Sequence, residues 1–494
     1  MTVHVEVRKN TYYDSVTLMA LTQKMAALPD VAAAVAVMAT PMNRDLLAGV
    51  GLLTDAAETA GADDLVVAIR AESDAACEAA LAVFSGAADK RAADNRAEAA
   101  AVSLVGAVGQ LPDANLAVIS VPGEYAAREA RAALRRGLHV MLFSDNVTLA
   151  DEVDLKKTAH EKGLLVMGPD CGTAIINGVA LCFANAVRRG NIGIVGASGT
   201  GTQEVTVHID RRGGGLSQVL GTGGRDLGEA VGGIMMLDCL AALAADPATA
   251  VIVLVSKPPA PAVAAKILAA VKACGKPVVC CFLGGDGAAA TAAGAYFAAT
   301  LEQAARAAVT LATGAKPEAP ACRHEKLIAL AATARTKLAP GQKTVRGLFC
   351  GGTLCQEAAL LVGGQGHTFV DLGDDQYTKG KPHPMIEPSL RLPHIRDAAR
   401  DPSVAVLLLD IVLGYGAHPD PAGATVPAIA EAKQIARADG RHLEVVAYVC
   451  GTDADPQGRA DQESKLAAAG VILAKSNARG AYLAAAIVSG EVGK

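Results

Sequence analysis

Tryptophan is absent from the 494-residue chain, and aromatic residues make up only 3% of it. Few rings are available to stack on bases, and Lys and Arg are dispersed through a chain of net charge −5. That combination argues against a nucleic-acid interface. Long apolar runs are missing too. Val404-Ala405-Val406-Leu407-Leu408-Leu409 stops at Asp410, far short of a bilayer crossing, so no membrane association is expected. Met1-Thr2-Val3-His4-Val5-Glu6 reads as a strand, not a signal peptide. The eleven cysteines form no CxxC pair, and many sit in apolar strand-like runs. Reduced, buried thiols of a cytoplasmic protein are expected, with no metal site. What is plentiful is small and apolar: 51% hydrophobic residues and 51 glycines. This suits α/β layers with close helix–sheet contact, and the length calls for two to four domains.

The stretch with the strongest chemical signal is Asn191-Ile192-Gly193-Ile194-Val195-Gly196-Ala197-Ser198-Gly199-Thr200-Gly201-Thr202-Gln203-Glu204. A β-branched run ends in small residues and gives way to a helix start. At such a turn several amides lack intrahelical acceptors, and the helix dipole adds positive potential. An anion can therefore sit on the backbone. Ser198, Gly199, Thr200, Thr202 and Gln203 are the expected phosphate or substrate contacts, and Glu204 places a carboxylate on the first turn. A second turn, Gly221-Thr222-Gly223-Gly224-Arg225-Asp226, follows the strand-like Leu216–Leu220. In a parallel sheet both turns open on the same edge, so Gly221, Thr222, Gly223 and Gly224 are expected to share the site.

Coarse patterning divides the chain into four. Residues 1–90 read as a small α+β module, expected to serve docking or oligomerisation. Residues 91–190 carry alternating strands and helices of a Rossmann-like sheet, beginning with Leu116–Val121. Residues 191–318 and 340–494 form two further α/β units, for which the resemblance given below implies a flavodoxin-like fold. The last repeats the one before it. Arg346-Gly347-Leu348-Phe349-Cys350-Gly351-Gly352-Thr353-Leu354-Cys355-Gln356-Glu357 echoes Gly193–Glu204, and Asp401–Asp410 echoes Asp246–Leu254. Gly351, Gly352 and Thr353 thus join the expected anion contacts. Two facing lobes would set two helix N-termini across one cleft.

Leu116–Gly178 resembles the CoA-binding domain of the succinyl-CoA synthetase α subunit, especially at Val121-Pro122 and Gly168-Pro169-Asp170-Cys171. Ser198–Glu204 looks like that family's Ser-Gly-Thr-x-Thr-x-Glu phosphate motif, and Gly221-Thr222-Gly223-Gly224 like its second Gly-rich turn. The last unit resembles the β subunit's C-terminal domain. With the N-terminal module, the chain is similar to the FdrA branch of the NDP-forming acyl-CoA synthetase superfamily. Two features depart from the ligases. They relay phosphate through a histidine after the strand matching Pro277–Leu283, yet no histidine lies between His208 and His324. They also bind CoA on a Gly-rich loop after the first strand, and Val102–Pro112 is short and lacks one.

The resemblance implies an acyl-phosphate pocket and, for this branch, a link to ureide (allantoin) breakdown and oxamate carbamoyltransferase activity with separately encoded partner subunits. The leading expectation is carbamoyl transfer between carbamoyl phosphate and oxamate, with no resident cofactor. Arg225 would pair with phosphate or the oxamate carboxylate, and Glu204 or Glu357 would orient the nucleophile or act as base. The alternatives are an acid–CoA ligase using CoA and ATP, and a non-catalytic scaffold or sensor in an oligomer. His383 and Glu387, on the Pro-rich loop after the strand ending at Asp371, are expected to face the cleft. His418 follows another strand end and is a candidate acid or base. Cys171 is better read as a buried thiol than as a nucleophile.

Overall fold

The computed structural model describes every residue except 14, 96–100, 102, 318–324, 379–381 and 491–494. The chain divides into two units, residues 1–114 with 379–382, and residues 115–378 with 383–494.

The first unit is built on β1 (Thr2–Arg8), α1 (Ser15–Ala26), β2 (Val31–Met38), α2 (Pro41–Gly49), α3 (Asp55–Glu58), β3 (Leu65–Ala71), α4 (Asp74–Asn95) and α5 (Leu104–Gln110). Its antiparallel sheet has the order β1-β3-β2. Alternation along the central strand explains its two-sided burial. Leu65, Val67 and Ile69 pack with Leu18, Leu21 and Met25 of α1 and with Cys77, Ala80 and Phe84 of α4. Val66 and Ala68 face Leu47, Leu52 and Ala57. The unit runs past the expected boundary at residue 90, because α4 extends to Asn95 and α5 belongs to the same unit. Part of the linker expected at Ser85–Ala101 lies outside the described residues.

The second unit begins with a Rossmann-like layer of three parallel strands, β4 (Leu116–Ile119), β5 (His139–Leu142) and β6 (Val166–Met167), alternating with α6 (Gly123–Arg135) and α7 (Leu149–Glu161). Two strands then leave this sheet. β7 (Thr173–Ile176) and β8 (Val179–Cys182) pair antiparallel with each other, and β7 pairs with the next sheet. The expected boundary at residues 190–191 therefore cuts a sheet.

That next sheet contains β9 (Arg189–Ala197), α8 (Gly199–Arg211), β10 (Leu216–Gly221), α9 (Ile234–Ala245), β11 (Val251–Ser256), α10 (Pro261–Ala273), β12 (Val278–Phe282), α11 (Gly287–Ala292), β13 (Tyr296–Phe297) and α12 (Leu301–Ala312). After α13 (Glu325–Arg335), the last lobe has β14 (Thr344–Phe349), α14 (Gly352–Val362), β15 (Thr368–Asp371), α15 (Asp375–Thr378), α16 (Arg391–Arg400), β16 (Val404–Val412), α17 (Pro421–Ala438), β17 (Glu444–Cys450), α18 (Arg459–Ala468), β18 (Ile472–Ala474) and α19 (Asn477–Ser489).

The strand orders β10-β9-β11-β12-β13 and β15-β14-β16-β17-β18 are the same flavodoxin-like 2-1-3-4-5 pattern. The internal repeat is thus a repeat of topology. The lobes share one core: Val205 and Ile209 of α8, Leu301 and Ala305 of α12, Leu354 and Ala358 of α14 and Ala481 and Ala484 of α19 belong to a single buried cluster. Small residues on these helices permit close packing at interior density. β16 is buried along its whole length, and Asp410 lies inside it instead of ending it.

Candidate functional site

In both flavodoxin-like lobes the first strand, β9 or β14, ends in a Gly-rich turn, and the two turns meet. Ser198 Oγ lies 2.6 Å from Thr353 Oγ1. A Cβ on Gly351 would overlap the Thr200 side chain, and one on Gly201 would sit 2.7 Å from Thr353 Cγ2. The N-termini of α8 and α14 therefore converge, as the repeat requires.

They converge in unequal states. In the first lobe Ser198 is the N-cap and accepts from the Gly201 amide at 3.0 Å. By helix geometry the amides of Gly199 and Thr200 have no intrahelical acceptor. A Cβ on Gly199 would meet nothing within 4 Å. That side of the turn is open. In the second lobe the chain supplies its own anion. The Asp410 carboxylate accepts from the amides of Cys350 (2.8 Å) and Gly351 (3.0 Å) and pairs with buried Arg391 at 3.0 Å. Burial raises the Asp410 carboxyl, while Arg391 and the two amides pull it down. Gly352 abuts the Asp371 carboxylate. Gly351, Gly352 and Thr353 consequently do not present an open anion cradle, which corrects the expectation of two equivalent sites.

Several other expected contacts are turned inward. Thr202 donates to the Ser198 carbonyl at 2.6 Å and is fully buried. Gln203 spends its amide on the Phe183 carbonyl, Asn185 and the Leu413 carbonyl. Glu204 lies in the seam between the lobes, accepting from His208 Nε2 at 3.0 Å and the Asn477 amide at 3.2 Å. Burial works against its charge, yet His208, the Tyr448 hydroxyl and the Asn477 amide hold its carboxyl below the ordinary value. Glu357 shares the seam, accepting from the Leu301 amide and from Asn477 Nδ2, both at 2.8 Å. Burial, reinforced by the Glu204 charge, pushes its pKa up to about 8. Neither glutamate reaches the turn, so neither is the base there. On α8 and α14, position six of the motif points at the partner lobe.

The second Gly-rich turn is closed by backbone. A Cβ on Gly221 would lie 2.7 Å from the Thr173 carbonyl, and one on Gly223 (φ +82°) would overlap the Pro169 carbonyl. These glycines let the turn dock on Gly168–Thr173. Thr222 is buried, its amide bonded to the Gly196 carbonyl at 2.8 Å. Only Gly224 opens on free space. Arg225 is half exposed but committed, pairing with Glu152 at 2.9 Å and donating to the Val147 carbonyl at 2.8 Å. Beneath it a fully buried Lys156 bridges Glu152, Asp226 and the Thr222 carbonyl, a network that sequence patterning missed.

The His383 ring lies 5.6 Å from that of Phe183, tilted by 38°, and accepts from the Met385 amide through Nδ1 at 3.2 Å. Burial lowers its pKa to about 4, which makes it a neutral packing ring, not an acid or base. Glu387 caps a short 3₁₀ turn through the Ser389 amide. His418 accepts from the Asp420 amide at 3.0 Å, just before α17; it is a loop-fixing residue. Cys171 is buried and its thiol is pushed up to about 12 by that burial, so it is no nucleophile. The ten described cysteines are free.

A carboxyl to which sequence reading gave no role also has a raised pKa. Asp170 follows β6 in the Gly168-Pro169 turn. Asp170 is exposed as a residue; desolvation of its carboxyl, followed by the charges of Asp145, Asp375 and Asp371, raises it to about 7 against the pull of Arg225. Its quoted motif was the available signal. Asp371, at the end of β15, is raised to about 6 by burial, with Lys257 opposing. The ends of β9, β10 and β11 also border a cavity of about 420 Å³ touching Ala197, Gly224, Arg225, Ser256 and Lys257.

Three family models match this chain: "CoA-ligase" over residues 348–487, "CoA binding domain" over 187–284, and "AllF, heavy metal-associated domain" over 1–103. The CoA-binding match falls one sheet later than the resemblance at Leu116–Gly178 placed it. It opens on β9 and its Gly-rich turn, so such a loop is present after all. Gly196 and Gly201 there are nevertheless closed by Thr202, Ser198 and Thr353, while Gly199 is open. A heavy metal does not fit residues 1–103. Their one cysteine, Cys77, is buried and their one histidine, His4, is exposed. Among the described residues no group of three His, Cys, Asp or Glu could hold a metal ion. Nor is any helix among them long and apolar enough to cross a membrane.

The protein described as "Uncharacterized protein YahF" of Escherichia coli (strain K12) is 49% identical over 507 residues, covering 98% of each chain. The mitochondrial "Succinate--CoA ligase [ADP-forming] subunit alpha-2" of Trichomonas vaginalis is 33% identical over 150 residues, 29% of this chain and 47% of that one. A solved dinucleotide-forming acetyl-coenzyme A synthetase 1 of Ca. Korarchaeum cryptofilum, in complex with phosphate and ADP, aligns over 79% of this chain and 87% of its own at 18% identity and a TM-score of 0.32. With YahF matched end to end and CoA-binding and CoA-ligase domains joined in one polypeptide, the chain belongs to the fused, succinyl-CoA synthetase-like FdrA branch of the NDP-forming acyl-CoA synthetase superfamily.

Proposed function

We propose that this member of the acyl-CoA synthetase superfamily transfers an acyl group to or from a preformed acyl phosphate, without a phosphorylated-enzyme relay of its own. The carrying observation is the pairing of an open backbone position at Gly199 with the lack of a histidine where the ligases carry their phosphate relay, after β12. The stretch that follows β12 holds no histidine before His324, and His208 is buried on Glu204. The specific form of the proposal is carbamoyl transfer from carbamoyl phosphate to oxamate, carried out with separately encoded partner subunits. The oxamate nitrogen would attack the carbamoyl carbon, the C–O bond to phosphate would break, and the nitrogen would give up a proton. Amides of Gly199 and Thr200 and the Ser198 hydroxyl would hold the departing phosphate, where donors fixed on developing charge lower the barrier. Asp170, poised near neutral pH, would take the proton. Arg225, held by Glu152, would fix the turn that carries Gly224.

A second reading, an acid–CoA ligase using CoA and nucleotide, is favoured by the two CoA-type domain matches and by the ligase relatives. One experiment separates the two. Chain and partners are incubated with carbamoyl phosphate, with and without oxamate, and separately with labelled ATP and CoA. Oxamate-dependent phosphate release with no labelled enzyme supports the transferase. Labelled enzyme together with CoA consumption supports the ligase. Phosphate release that ignores oxamate rejects the first reading.

A further inference from the structure

The cavity at the ends of β9, β10 and β11 lies beside the α8 turn but is not part of it. Its floor includes Ser256, the last residue of β11. Ser256 is 1% exposed, and its hydroxyl has no hydrogen-bond partner among the described residues. Buried hydroxyls are normally satisfied, so an orphan one lining a cavity points to something that enters it. Lys257 is the next residue and also lines the cavity. Its ammonium has no carboxylate within 4.0 Å among the described residues, and Asp371 acts on it only at longer range. Arg225, the other cation there, is committed to Glu152. Glu229 is an exposed carboxylate on the wall, so the site is not a bare positive patch.

Just beyond, α10 begins with no side-chain cap at Ala260, leaving the positive end of its dipole uncovered on this side. The remaining wall is apolar, with Leu227 and Val231. An uncommitted cation, an orphan donor and a helix N-terminus against an apolar wall are the features of a pocket for a carboxylate on a small organic body.

We propose that Lys257 and Ser256 bind the carboxylate of the acid substrate, Lys257 by ion pairing and Ser256 by donating its hydroxyl, next to the phosphate position at Gly199. Calling that acid the acyl acceptor rests on the transferase reading; the carboxylate site itself does not. Ser256 was not singled out in the sequence because it closes an apolar strand, where a serine carries no pattern.

The test is calorimetric binding of oxamate, succinate and inorganic phosphate to the full chain, for wild type, Lys257→Ala, Lys257→Arg and Ser256→Ala. Lys257→Ala should weaken carboxylate binding at least about tenfold, the loss of one charge-assisted contact, while phosphate stays within about twofold. Lys257→Arg should restore much of it. Ser256→Ala should give a smaller loss, with an unchanged thermal transition for the exposed lysine variants. Carboxylate binding that is indifferent to Lys257→Ala overturns the proposal, as does a wild type that binds neither acid at millimolar concentration. If succinate binds and oxamate does not, with the same dependence on Lys257, the pocket stands and the oxamate assignment falls.

Discussion

Asp410 places its carboxylate 3.0 Å from the amide of Gly351, at the mouth of the α14 turn. In the first lobe a Cβ added at Gly199, one position further along the motif, would meet no atom within 4 Å. A duplicated architecture thus carries one turn that is open at Gly199 and one whose amides are met from within by the Asp410–Arg391 pair. Replacing Asp410 with Ala would leave the buried Arg391 guanidinium and two amides unmet. Removal of one partner of a buried pair typically costs about 3–5 kcal/mol. We expect a thermal transition lowered by several degrees and an unfolding curve that shifts in denaturant. A variant within experimental error of wild type would mean that the pair contributes nothing.

Glu357 makes stability depend on pH. Its folded pKa of about 8 lies above the ordinary 4.5. Between those values the unfolded chain has released the proton and the folded chain keeps it. Stability is therefore full below about pH 4.5 and declines as pH rises to about 8, by at most about 1.4 kcal/mol per pH unit for one group. Asp170 and Asp371, also raised, tilt the curve the same way. Glu357→Gln should flatten the slope between pH 5 and 8. An unchanged slope in melting experiments across that range would contradict the assignment.

Asp170→Asn should lower turnover by about 10²- to 10⁴-fold, the usual contribution of a general base. The base must be unprotonated, so wild-type activity should climb as pH rises through about 7, and the variant should lose that limb. A pH–rate profile with the limb intact in the variant would remove Asp170 from the chemistry.

Glycines of the two turns should respond differently to alanine. Gly223→Ala forces a side chain into positive φ and into the Pro169 carbonyl, a strain of about 1–3 kcal/mol before any clash is relieved. Gly199→Ala meets no atom within 4 Å; it should leave the melting temperature alone and weaken inorganic phosphate binding. Equal melting temperatures for the two variants would contradict this contrast.

Ser198→Ala removes both the cap on Gly201 and the 2.6 Å bridge to Thr353. Loss of an N-cap costs about 1 kcal/mol. The expected result is a modest fall in stability with a clear loss of phosphate affinity, read by denaturation and calorimetry on the same sample.

Sequence reading succeeded where signals were local. The run Asn191–Glu204 announces a strand, a turn and a helix because β-branched residues, glycines and hydroxyls follow one another in the order those elements demand. Its echo at Arg346–Glu357 announced a second lobe for the same reason. It failed on side-chain direction. Glu204 and Glu357 occupy matching places and looked like paired bases, yet both point into the seam, where His208, Asn477 and Leu301 receive them. His208 is a near neighbour of Glu204 on α8, but Asn477 and Leu301 come from segments remote in sequence. Gly221 and Gly223 looked like an anion cradle, but the Gly168–Thr173 backbone occupies their space.

The sequence by itself determined that this protein would have two like flavodoxin-type lobes after a Rossmann-like layer, since hydrophobic period and turn chemistry act over a few residues. Only the tertiary structure decided which turn stays open, which carboxyl titrates near neutral pH and which lysine is left uncommitted. Those properties depend on desolvation and on partners contributed by distant segments, and close packing is what brings such segments together.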